Sequence, residues 1–131
     1  GATVKKLLKD VGKKRWAKDR IGANRRRDEL LVEIARAAMR TGKIEGPELE
    51  AARSALRHLD QAEHITGLRG SATSPDEASK HRQAIKAAKD LVEHALVKLG
   101  YFVLKKGVLP PGVIDKVREV HEIDEALGEP G

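Results

Sequence analysis

The chain contains no cysteine. Disulfides, thiolate nucleophiles and Cys-based zinc or iron–sulfur sites are therefore excluded. Small secreted domains often lean on disulfides, so this absence points to a reducing, cytoplasmic setting. Aromatic residues are scarce: Trp16, Tyr101 and Phe102 are the only ones. The core has to be built from Leu, Ile, Val and Ala. A base-stacking platform, which RNA-recognition sheets and single-strand OB folds build from several aromatics, is not expected. No apolar run approaches the about 20 residues that cross a bilayer. The charged first residues lead us to expect no secretory leader.

Several catalytic signatures are missing as well. Neither G-x-x-x-x-G-K-[ST] nor G-x-G-x-x-G occurs, and there is no G-x-S-x-G elbow. The histidines are His58, His64, His81, His94 and His121; none forms H-E-x-x-H and none lies four residues from another. Scattered surface or core-edge histidines are the favoured reading. Glu119, His121, Glu122, Asp124 and Glu125 form the densest polar cluster. A carboxylate–imidazole metal site could start there, but a solvated acidic helix tail is the simpler reading. The chain is expected to be no enzyme and to hold no cofactor or metal.

What is present suits one domain. The chain has 131 residues, 40% hydrophobic and 35% charged, with a net charge of +6. That charge is unevenly spread. Residues 1–27 carry a net +9 and the rest of the chain −3. A basic arm on a mildly acidic body is the strongest functional signal.

Periodicity predicts an all-α bundle of four to five mostly antiparallel helices, with a basic N-terminal arm over 1–24, a helical body over 25–127 and a tail over 128–131. A first helix over 3–21 is suggested by Thr3 as cap and by Val4, Leu7, Leu8 and Val11, with Gly12 weakening it. Gly22-Ala23-Asn24 reads as a break, with Asn24 capping a second helix over 25–41 whose face is Leu30, Leu31, Ile34, Ala35 and Ala38. Gly46-Pro47-Glu48 opens a third helix that Gly67 ends, with the stripe Leu49, Ala52, Leu56 and Leu59. Ser74-Pro75-Asp76-Glu77 is a capping box for a fourth helix to Lys106, where Gly107 stops it and Val108 supplies the hydrophobic contact. A last helix over 111–127 carries Ile114, Val117 and Val120.

Three readings compete for the basic arm. In the favoured one, Lys13, Lys14, Arg15, Lys18, Arg20, Arg25, Arg26 and Arg27 contact nucleic-acid phosphates, DNA or RNA, and Trp16 anchors the arm. Arginines at the start of the helix expected over 25–41 oppose its dipole, which a bound polyanion would offset. Specific major-groove reading is not expected. Residues 34–53 fail as a helix-turn-helix, because Lys43 and Glu48 fall where apolar residues should pack and the second helix would begin with Glu45, Glu48 and Glu50. In the second reading the body is a protein-interaction or assembly subunit, which oligomerises through residues 101–114, YFVLKKGVLPPGVI; a simple core-lining turn is the plainer account of that stretch. In the third, the N-terminal helix lies on a membrane surface, but its apolar face is short and broken at Gly12.

Overall fold

The computed structural model describes residues 18–69 and 74–128, and all regular structure among them is helical. Four helices follow in order: α1 (Arg20–Thr41), α2 (Pro47–Arg69), α3 (Pro75–Lys106) and α4 (Ile114–Leu127). The helix expected over 3–21 lies mostly outside the described residues, as do Lys13, Lys14, Arg15 and Trp16.

The predicted break at 22–24 is not a break. Asp19 is the N-cap, and its Oδ1 accepts from the Gly22 amide at 2.9 Å. Asn24 sits inside the helix and donates its side-chain amide to the Arg20 carbonyl at 2.9 Å. Ala23 is fully buried, which rewards continuing the helix through Gly22. α1 therefore begins five residues earlier than the spacing suggested. Gly42 then ends it in the left-handed conformation at φ 67, the backbone state in which glycine is favoured.

α3 matches its prediction closely. The Ser74 hydroxyl accepts from the Glu77 amide at 3.3 Å, Pro75 opens the helix and Gly107 closes it at φ 74. Two expectations near its end fail. Val108 and Ile114 are both 51% exposed, so neither supports the core. α4 starts at Ile114 rather than 111, because Gly112 at φ 80 belongs to the preceding turn. No side chain caps its first turn.

Packing does not follow chain order alone. α3 packs against both α1 and α2, and α4 packs on α1. The short 42–46 connection suggested that α1 and α2 would be antiparallel neighbours. Instead α3 occupies the place beside α1 and runs in the same direction, with Gly100 against Leu31 and Phe102 near Gly46. Gly100 sets that approach: a Cβ there would stand 2.5 Å from the Leu31 carbonyl oxygen. The core consists of Leu30, Leu31 and Ile34 from α1, Leu96, Leu99 and Val103 from α3, and Val120 and Ile123 from α4, all fully buried. Each contributes about 1.5–3 kcal/mol of apolar burial. α2 adds Leu49 and Ala52, with Leu56 and Leu59 half-buried.

Candidate nucleic-acid interface

The basic segment divides where α1 begins to pack. Lys18, Arg20 and Arg25 are exposed, and their side chains make no hydrogen bond or ion pair among the described residues. Ile21 lies among them at 78% exposure. This end of α1 presents cations and one large apolar side chain to solvent.

Arg26 and Arg27 do otherwise. Arg26 grips Glu119 of α4 with two nitrogens, Nε to Oε1 at 3.0 Å and Nη2 to Oε2 at 3.2 Å, and its Nη1 lies 3.5 Å from Glu29. The hydrogen bond that Arg26 donates to Glu119 raises the Arg26 pKa above its ordinary value; partial burial opposes this, and the charges of Glu119 and Glu29 add to it. Arg27 Nη1 donates to Asp124 Oδ1 at 2.6 Å, and Nη2 donates to Asn24 Oδ1 at 2.7 Å. The Arg27 and Asp124 side chains are only 11% and 5% exposed. These two arginines hold α4 on α1. The expected solvated acidic tail is corrected at two positions, where Asp124 is buried and Glu119 half-buried and each is neutralised by an α1 arginine, while His121 and Glu125 are exposed.

A sequence signal for this pairing existed. Arg27 lies four residues after Ala23 and three before Leu30, on the buried stripe of α1. Asp124 lies between Ile123 and Leu127 on the buried stripe of α4. Opposite charges placed on two apolar stripes point to a buried pair.

A second basic region lies toward the other end of α1, whose 22 residues span about 33 Å. Arg36 and Arg40 of α1 and Lys116 of α4 line one cleft with Glu33 and the 111–113 turn. Lys98, Lys105 and Lys106 of α3 line another with Tyr101, Phe102 and Glu48, and the Lys106 ammonium stands 5.6 Å over the Phe102 ring. Charge counting missed both, because these cations come from separate stretches whose acids bring the body's sum to −3.

Among the described residues, no group of three His, Asp or Glu could hold a metal ion. His58, His64, His94 and His121 are exposed. No helix among them is long and apolar enough to cross a membrane. No family model matches the chain, and no curated protein or solved structure is significantly similar to it. The described residues form an all-helical fold of four helices, with cations at both ends of α1 that have no partner among the described residues.

Proposed function

We propose that this protein is a non-enzymatic nucleic-acid-binding domain that grips the phosphate backbone, with low sequence selectivity, through its basic N-terminal segment. The observation that carries the reading is the net +9 over residues 1–27, within which Lys18, Arg20 and Arg25 are exposed and have no partner among the described residues. A cluster of cations without carboxylate partners gains free energy by releasing counterions from a polyanion. Arg26 and Arg27 are engaged with α4, so their role is to fix the helix that presents the others. Lys13, Lys14, Arg15 and Trp16 lie outside the described residues; the first three add to the same charge in the sequence. Contact of this kind positions the protein on DNA or RNA without reading bases.

Fluorescence anisotropy with labelled duplex DNA and RNA across a salt series tests this. Lys18→Gln/Arg20→Gln/Arg25→Gln is expected to weaken binding similarly for unrelated sequences and to flatten the log K against log salt slope by about 2–3. An unchanged slope counts against the role of these residues.

A second reading has its own support. Val108, Leu109 and Ile114 are exposed at 51%, 38% and 51%, within a single short segment. They suit contact with a second copy of the chain in a homo-oligomer. Sedimentation of the wild type against Val108→Ser/Ile114→Ser decides it: a monomer in both cases removes the reading.

A further inference from the structure

The cleft between the C-terminal half of α1 and the start of α4 has a composition that the fold does not explain. It has a volume of about 270 Å³. Arg36 and Arg40 stand one turn apart on its α1 wall, and Lys116 faces them from α4. None of the three makes a hydrogen bond or ion pair among the described residues. Glu33 lines the same cleft, three residues before Arg36, and still pairs with none of them. Elsewhere the same two helices neutralise their arginines, as Arg26 and Arg27 do with Glu119 and Asp124. Three cations around one hollow, against the single carboxylate of Glu33, leave a net positive charge that an anion would offset. Two guanidinium groups and an ammonium, drawn from two helices, offer the donor set that phosphate oxygens favour. The other wall is Pro111, Gly112 and Val113, which lead into the first turn of α4; no side chain caps that turn, and Asp115 is its one acid.

We propose that this cleft is a phosphate-binding site, with Arg36, Arg40 and Lys116 as its ligands. The group it takes is a phosphate oxyanion, either as free phosphate or as a phosphodiester of a nucleic-acid strand. The site lies in the body, and it stands or falls separately from the N-terminal segment.

The test is a titration of the full ¹⁵N-labelled chain, followed by amide shifts, with inorganic phosphate, with pyrophosphate and with a short single-stranded oligonucleotide. Sodium chloride at matched ionic strength is the control. The expected result is a saturable shift of the Gly112, Val113 and Lys116 amides that chloride does not reproduce. Arg36→Gln/Arg40→Gln should weaken it by about tenfold or more, as loss of two charge-assisted contacts implies. Both arginines are exposed, so the double variant should keep the wild-type helical circular dichroism; Lys116→Gln is the independent single change. Shifts with the oligonucleotide identify a phosphodiester site, and shifts with phosphate or pyrophosphate alone identify a free-anion site. Equal response to chloride, or equal affinity in the variants, overturns the proposal. If oligonucleotide shifts only residues around Lys18–Arg25 and neither phosphate nor pyrophosphate shifts Gly112, Val113 and Lys116, the cleft is excluded while the N-terminal interface stands.

Discussion

Removing the Asp124 carboxylate should release α4 from the rest of the fold. In Asp124→Ala the Arg27 guanidinium stays where it is, with a side chain only 11% exposed, and loses the carboxylate it reaches at 2.6 Å. Asn24 Oδ1 still accepts from Nη2, which limits the loss. Truncating one member of a pair this buried typically costs 3–5 kcal/mol, and the Asn24 bond places this case at about 3 kcal/mol. For a chain of this length, each kcal/mol lowers Tm by about 4 °C, so a drop of about 10–12 °C is expected by circular dichroism. Urea unfolding supplies the free energy directly. The second half of the prediction concerns the charge itself. Arg27→Met/Asp124→Leu replaces the pair with apolar groups and should return to within about 1 kcal/mol of wild type. A loss below about 0.5 kcal/mol in Asp124→Ala would refute the pair as the tie between α1 and α4. A double variant as unstable as the single would show that shape, rather than uncompensated charge, is at stake.

Other consequences are as specific. Glu119→Ala removes a pair whose side chains are 40% and 31% exposed, so solvent screening should hold its cost to about 1 kcal/mol or less. The Arg26 pKa is raised in the folded state, so the contribution of that group is fully present below its ordinary value and is lost only as pH rises past the raised one; the Tm decrement of Arg26→Gln should be equal at pH 7 and pH 10. Gly100→Ala drives a methyl group to 2.5 Å from the Leu31 carbonyl and should cost about 2–3 kcal/mol by chemical denaturation, through forced separation of α1 and α3. Ser74→Ala deletes the hydroxyl that accepts from the Glu77 amide and should cost about 1 kcal/mol in the same assay.

The helices were legible wherever capping chemistry and periodicity agreed. Ser74 through Gly107 is the clearest case, because a capping box, a proline at the first position and a terminal glycine all bound one apolar stripe. At residues 22–24 they disagreed. A glycine beside an asparagine looks like a stop, yet a buried Ala23 and a cap at Asp19 outweighed the cost of one internal glycine, about 1 kcal/mol. The order of packing was not legible, since a short loop predicts adjacency and only the close fit at Gly100 shows why α3 lies beside α1. For the candidate site, counting charges treated Arg25, Arg26 and Arg27 as equivalent. A helix turns 100° per residue, so these neighbours face different ways: Arg25 meets solvent, while Arg26 and Arg27 meet α4. The cations at the far end were hidden for a related reason. Lys116 is distant in sequence from Arg36 and Arg40 and meets them only once α4 folds back along α1.

The central claim is tested most directly by the salt dependence of nucleic-acid binding, comparing the full chain with a version that begins at Asp19. That start keeps the α1 cap and both arginines that hold α4, and it removes every cation of residues 1–18. The account predicts a steep negative slope of log K against log salt for the full chain, on duplex DNA or on RNA, and a much shallower one after truncation. Equal slopes, or no binding by the full chain at low salt, would contradict it.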